Sequence, residues 1–361
     1  MSSPVNELES AIKRAAHQAG FDLAGIAPAN DSPELKFFPE WIAAGHAGEM
    51  KYMEARDEQG ALKRASLASV APWARSVVVC AINYNTDQPY STHPQDPSRG
   101  WISRYAWSRE DYHAAVLRRL KQVEAALRKA AATNDPDLVT RSYVDTGPIV
   151  ERVFAKYAGV GWIGKNTCII NQKIGSWLFL GVILTSLELT PDMPAPDRCG
   201  TCTRCIEACP TDAILEPYKL DSNRCISYLT IEKRGTIPED LRAGMGRHIF
   251  GCDICQDVCP WNRKSPASAA SEFLPREGLV NPALVRLAEM SAEDFQQTFQ
   301  RSPIRRAKRS GLRRNAAIAM GNSGDAQFIP VLDRLAADED ENVSESAAWA
   351  KARLREVVKE S

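Results

Sequence analysis

Eight cysteines between Cys199 and Cys259 carry the clearest chemistry in the chain. The first run is Cys199-x2-Cys202-x2-Cys205-x3-Cys209-Pro210. This is the bacterial ferredoxin spacing: three closely spaced thiolates hold one 4Fe–4S cluster and the fourth reaches the other. Thiolates suit iron because they are soft, anionic donors. The second run, Cys252-x2-Cys255-x3-Cys259-Pro260, has the last three positions of the same motif, with Ile249 where the first would stand. Cys225, 27 residues upstream of Cys252, is the available substitute. The swapping rule then places Cys199, Cys202, Cys205 and Cys259 on one cluster. It places Cys209, Cys225, Cys252 and Cys255 on the other, and leaves Cys80 and Cys168 as bystanders. Two structural zinc sites of four thiolates each are the competing reading. Zinc ribbons usually separate their C-x2-C pairs, so iron–sulfur is preferred. Two clusters close together make an electron relay and imply redox chemistry.

A second chemical feature lies in the tail. Between Arg301 and Arg314 stand Arg301, Arg305, Arg306, Lys308, Arg309, Arg313 and Arg314, with no acidic residue among them. On a helix, Arg305 and Arg309 share a face, as do Arg306 and Arg313. Such a stripe fits RNA phosphates and guanidinium stacking on splayed loop bases. A charge run is more commonly a solvated face. Here the lack of acidic neighbours favours RNA.

Several elements must position these groups. Leu8–Ala19 and Tyr112–Ala131 show helical apolar spacing, and the pattern of Phe38–Arg56 predicts a helix with a Gly-rich kink at Gly45-His46-Ala47-Gly48. Phe21–Pro28, Ser76–Tyr84, Arg141–Val144 and Trp177–Leu184 read as strands. The Pro-rich linker at 191–196 opens the Cys-rich module, and the small-residue linker at 265–271 closes it. The remainder is helical. Leu312–Ala317 resembles Val343–Ala348 at an offset of 31 residues, with a helix at Phe328–Ala337 between them. That pattern predicts a short HEAT-like hairpin.

The chain's 361 residues call for two or three domains at about 150 residues each. Its 45 Lys+Arg balance 45 Asp+Glu, which excludes a bulk polycation but not a local patch. The longest apolar run, around Trp177–Leu184, is far short of the ~18 residues of a membrane span. The start, Met1–Glu7, is polar and has no signal-peptide core. A cytoplasmic protein without a membrane partner is expected, and in that reducing compartment clustered cysteines read as metal ligands.

With these residues in view, the chain resembles the epoxyqueuosine reductases, cobalamin-dependent enzymes of tRNA queuosine synthesis. The match is carried by Trp41–Met50, Ser103–Trp107, Asp111-Tyr112-His113, Val144-Asp145-Thr146-Gly147-Pro148, Gly159–Thr167, the cysteine module with Cys225–Glu232, and Ser302–Arg309. It spans nearly the whole chain in the family's order. The resemblance implies an α+β multidomain fold. Residues 1–190 would form a corrinoid-binding α/β domain of reductive-dehalogenase type. Residues 191–265 would form a two-cluster ferredoxin module, and residues 272–361 a HEAT-like helical tRNA-binding domain. The implied substrate is tRNA with a GUN anticodon (Tyr, His, Asp and Asn types), carrying epoxyqueuosine at the wobble position. Removing the epoxide oxygen consumes two electrons and two protons and releases water. A monomer served by an unidentified electron donor is expected.

The resemblance also suggests roles for particular residues. Asp145 matches the family's proposed proton donor, a role that needs a raised pKa; the bland reading is an Asx-turn residue. His113 would assist proton delivery. Arg104, Asp145, Ile169, Ser176 and Ser227 would contact cobalamin. Arg305, Arg306, Lys308, Arg309, Arg313 and Arg314 would bind RNA. Lys165, in the Gly-rich segment, could meet an anionic group. Cobalamin itself is not readable from residue chemistry. The D-x-H-x-x-G motif is absent, so cobalt without a protein histidine ligand is expected.

Overall fold

The strand Ser76–Asn83 is buried along its whole length, and the computed structural model, which describes residues 4–93, 96–132 and 135–360, shows what covers each face. The first residues of the polar N-terminus, 1–3, lie outside that range. The strand sits inside a four-stranded antiparallel sheet ordered Leu23–Pro28, Ser76–Asn83, Leu178–Thr185, Thr140–Tyr143. Side chains alternate across a pleated strand. Val78, Cys80 and Ile82 therefore meet Ile12 and Ala16 of the helix Pro4–Gln18, and Val116, Leu120 and Val123 of the helix Tyr112–Ala131. Val77, Val79 and Ala81 point the other way, toward Val153 and Phe154 of the helix Glu151–Tyr157. That helix is absent from the sequence reading, because one turn and a half gives too little periodicity to register. It lies close on the sheet: a Cβ on Gly25 would stand 1.9 Å from the Ala158 carbonyl oxygen.

The helix expected over Phe38–Arg56 is shorter. It runs Pro33–Ala43, and the chain then turns through Gly45 and Gly48, both at positive φ. The glycines end the helix instead of kinking it. Gly48 is also needed for space, since a Cβ there would lie 2.5 Å from the Tyr228 ring.

The cysteine-rich stretch contributes two short helices, Arg204–Glu207 and Ile254–Asp257, which pack on each other. Its strand His248–Phe250 pairs in parallel with Trp101–Ile102, far earlier in the chain. The tail follows as the helices Lys308–Asn322, Ile329–Leu335 and Glu341–Glu360. The first and third pack together. Leu312, Ala316, Val343 and Ala347, the matched positions of the 31-residue offset, are all buried in one core. That core also takes in Trp101, Ile102 and Trp107. None of the described helices is long and apolar enough to cross a membrane.

Candidate active site and cluster-binding module

Asp145 stands just past the strand Thr140–Tyr143, at φ +58°, a conformation uncommon for a residue with a Cβ. A tight turn follows, with the Thr146 amide donating to Val144 O at 2.6 Å. The Asp145 side chain is 66% exposed. Its Oδ2 accepts from Tyr112 Oη at 2.8 Å and faces His113 Nε2 at 3.4 Å. His113 Nδ1 lies 2.7 Å from Asp111 Oδ1, and Asp111 also caps the helix by accepting from the His113 amide. Tyr112 and His113 thus converge on Asp145, and Asp111 at the helix start holds the imidazole in place.

Both imidazole nitrogens face carboxylates. Burial works against the charge on His113, but the hydrogen bonds to Asp111 and Asp145 outweigh it and raise the pKa to about 9. The ring is an imidazolium at neutral pH. For Asp145, burial pushes the pKa up, yet the bonds from His113 and Tyr112 push it down further, so the net shift is downward. The expectation of a raised carboxyl supposes an apolar corrin face; within the protein alone the pairing with His113 and Tyr112 favours the ionised carboxylate and the protonated imidazole. Glu151, six residues on, is a group the sequence reading missed. Burial, reinforced by the charge of Asp145, pushes it up to about 7, and its Oε1 makes no hydrogen bond. Arg64 was missed as well. Its Nη2 donates to Gly147 O at 2.9 Å, tying down the turn that carries Asp145, and its Nη1 donates to Tyr52 O at 2.7 Å. No local pattern could reveal a bond across 83 residues.

The four remaining candidate cofactor contacts divide. Arg104 is only 2% exposed. Its guanidinium donates to Thr86, Gln88 O and Pro89 O and lies among the rings of Tyr90, Trp107 and Trp177. It holds a loop and faces away from any open surface. Ser176 is likewise buried, its hydroxyl accepting from Gln256 and Asn262. The Ile169 side chain lies in the core under the sheet. Ser227, half-buried beside Cys225, remains available.

Among the described residues no three His, Cys, Asp or Glu side chains stand as a ready site for a single metal ion, and the thiols act on one another through their charges. Cys205 feels the charges of Cys199 and Cys202, and Cys259 those of Cys199, Cys205 and Cys168. Cys199 and Cys259 also share a small apolar nest with Trp162, Ile170 and Trp261. In the second set Cys252 feels Cys225 and Cys209, and Cys255 feels Cys252 and Cys225. Burial and mutual repulsion raise the thiols of Cys205, Cys225, Cys252 and Cys259. That cost is removed by a cationic centre, so the donor sets fit two iron–sulfur clusters. Cys168 is less of a bystander than expected: it hydrogen-bonds Cys255. The neighbouring Gly-rich loop steadies both sets. Lys165 donates to Gly200 O and Cys202 O, and Asn166 to Cys255 O. The Lys165 ammonium is thus engaged by carbonyls, in place of the expected anion.

The basic run is split by the structure. Residues Pro303–Ala307 form a 3-10 turn, and the helix begins only at Lys308, at φ +61°. The predicted shared helix faces therefore do not form. Arg314 is 1% exposed and donates to Leu229 O, Lys233 O and Gly235 O. Arg313 is buried on Ala288 O and pairs with Asp338 at 2.6 Å. These two are structural and unavailable to RNA. Acidic partners do exist, supplied from afar: Glu232 also holds Arg306 at 2.8 Å. Arg305, Arg306 and Lys308 remain exposed, and Arg309 is half-buried.

A cysteine-rich module and a carboxylate–imidazole cluster on an α+β scaffold are the features of an iron–sulfur oxidoreductase. Residues 198–262 match the profile of the 4Fe-4S double cluster binding domain, and residues 64–146 that of epoxyqueuosine reductase QueG, DUF1730. The epoxyqueuosine reductase of Synechocystis sp. is 44% identical over 297 residues, 81% of this chain and 98% of that protein. An epoxyqueuosine reductase solved with a tRNA-Tyr epoxyqueuosine-modified stem loop aligns at TM-score 0.85 and 29% identity, covering 99% of this chain and 95% of that one. The Bacillus subtilis enzyme, solved with its Asp catalytic loop swung out of the active site, aligns at TM-score 0.84 and 28% identity, with the same coverage. The chain belongs to the epoxyqueuosine reductase family.

Proposed function

We propose that this protein reduces epoxyqueuosine to queuosine at the wobble position of tRNAs with GUN anticodons, as a monomeric cytoplasmic enzyme. The reading rests above all on the meeting of Asp145, His113 and Tyr112. Arg152 exerts its charge on both Asp145 and Cys168. Three units would share the work: 1–190 for chemistry, 191–265 for electron relay, and 272–361, a HEAT-like unit, for RNA. The exposed cations Arg305, Arg306 and Lys308, with half-buried Arg309, would meet the phosphates.

Cobalamin, when bound, would supply a cobalt centre able to open the epoxide with electrons passed through the clusters. The residues present fit a cobalt without a protein histidine. Of the chain's five histidines, His17 bonds Phe21 O, His46 faces Asp221, His93 lies against Tyr90, His113 is held by two carboxylates and His248 is buried on Met245 O. Asp145 and Ser227 would line the cofactor and substrate side.

This chain's own residues then manage protons. Opening the epoxide develops negative charge on oxygen, which a positioned acid offsets. Asp145 accepts from His113 Nε2 and presents its carboxyl to the open side, so it can pass the imidazolium proton outward. The reaction needs two protons, and His113 would hold one of them where Asp145 can pass it on. Asp111 and Tyr112 keep the ring and carboxylate aligned throughout. The test is anaerobic reconstitution with iron, sulfide and cobalamin, followed by nucleoside mass spectrometry of the tRNA. Asp145→Ala should keep clusters, cobalamin and tRNA binding yet lose turnover by roughly 10²–10⁴-fold. Full turnover in that variant overturns the assignment.

A further inference from the structure

The relay has two ends. The second thiol set is the inner one, since Gly251, Asp253, Gln256 and Asp257 around Cys252 and Cys255 are buried. The first set is the outer one, where electrons would enter, since Arg198, Gly200, Thr201, Thr203 and Arg204 around Cys199 and Cys202 are exposed. Immediately past Cys259 the chain forms the wall of a cleft of about 360 Å³, lined by Gln172, Lys173, Pro260, Trp261, Arg263 and Lys264. Three of the six are cations and none is an acid. Lys173, Arg263 and Lys264 are exposed, and no ion pair engages them among the described residues. Trp261 connects the cleft to the thiols: it packs in the nest of Cys199 and Cys259, with its ring 5.1 Å from that of Trp162. Unpaired cations around an aromatic at a redox centre create a positive field that steers an acidic partner to that spot.

The electron chemistry narrows the partner further. A 4Fe–4S cluster takes one electron at a time, whereas a nicotinamide delivers a hydride. The direct donor must be a one-electron carrier. We propose that the Lys173–Arg263–Lys264 face around Trp261 is the docking site of an acidic one-electron carrier protein, bearing flavin or iron–sulfur, which reduces the outer cluster. Each encounter oxidises the carrier by one electron and reduces the cluster by one. Two encounters supply the pair that, with two protons, converts the epoxide to an alkene and water. Such interfaces are small and transient, which a single cleft with three charges suits.

The inference rests on the cluster reading, and its test does not need epoxide turnover. Cluster-loaded enzyme is mixed with flavodoxin hydroquinone, an acidic carrier, and bleaching of the cluster absorption is timed. Wild type should react at a rate that falls steeply with ionic strength. The triple variant Lys173→Glu, Arg263→Glu, Lys264→Glu should react roughly 10-fold or more slowly and bind oxidised flavodoxin correspondingly more weakly by calorimetry. The triple Gln variant should fall between the two. Dithionite, a small reductant, should bleach all three proteins equally, which shows that the clusters are intact. An unchanged flavodoxin rate in the Glu variant overturns the proposal. A loss of tRNA affinity with flavodoxin binding unchanged also overturns it, and makes the face an RNA contact. Flavodoxin-driven bleaching in an enzyme that fails to act on tRNA would leave this inference standing and remove the functional reading instead.

Discussion

His113 shows how much a single side chain depends on its two neighbours. An exposed histidine titrates near 6.5; between Asp111 and Asp145 this one reaches about 9. The raised value fixes the sign of the pH effect. The stabilisation from protonating His113 is fully present below about pH 6.5 and is lost as pH rises through about 9. Because Asp145 is shifted downward, no opposing loss arises near neutrality. Turnover should hold steady to about pH 8 and fall with a single-proton slope near pH 9. In His113→Asn that limb should vanish and the plateau should drop, as a kcat against pH profile would show. The buried and exposed arginines separate in the same way. Arg314→Ala strips donors from three buried carbonyls and should cost about 3 kcal/mol in urea unfolding. Arg305→Ala and Lys308→Ala should leave stability within about 0.5 kcal/mol. Each should instead flatten the salt dependence of tRNA binding by about 0.7 in log–log slope.

At the level of elements, the turn after the strand Thr140–Tyr143 is the part most exposed to perturbation. It carries Asp145 at positive φ, and Arg64 holds it from outside. Removing that tie lets the carboxyl wander, and small misplacements are costly in catalysis. Arg64→Ala should lower kcat roughly 10- to 100-fold with little change in KM for tRNA, and Arg64→Lys should recover part of it. Steady-state kinetics on the reconstituted enzyme would check both. A KM change at constant kcat would show that Arg64 serves binding instead. The helix Tyr112–Ala131 was legible in full, because its apolar residues repeat over more than five turns. The helix Glu151–Tyr157, which places Glu151, was not, since its face is completed by sheet residues distant in sequence.

Across the whole molecule, the two cysteine runs interlock. On the proposed division Cys259 would join a set that begins sixty residues earlier, and Cys209 one that closes later. Cys225 would complete the second set in place of the missing first cysteine. Cys225→Ser should therefore lower iron content by about four atoms per chain while the other cluster survives, as iron analysis with EPR would show. Neither run can fold around its metals alone, which welds the module together. The tail is joined as firmly, because Arg314 and Asn315 bond to carbonyls of the segment after Cys225 and of Ile249. Formal neutrality is the sum of these unlike parts, including the unpaired cations beside Trp261.

The amino-acid order by itself determined the two-cluster cysteine module, the buried strands and the long helices. Each of these is written in short-range spacing: thiolates must surround one cluster, and apolar residues must line one face. Only the tertiary structure decided which arginines of the tail reach solvent, which groups pair with Asp145 and what grips its turn. Those outcomes depend on partners such as Glu232, Asp338, Arg64 and the carbonyls around residue 230. The partners lie scores of residues away, and folding alone brings them within a few ångströms, where burial and charge act.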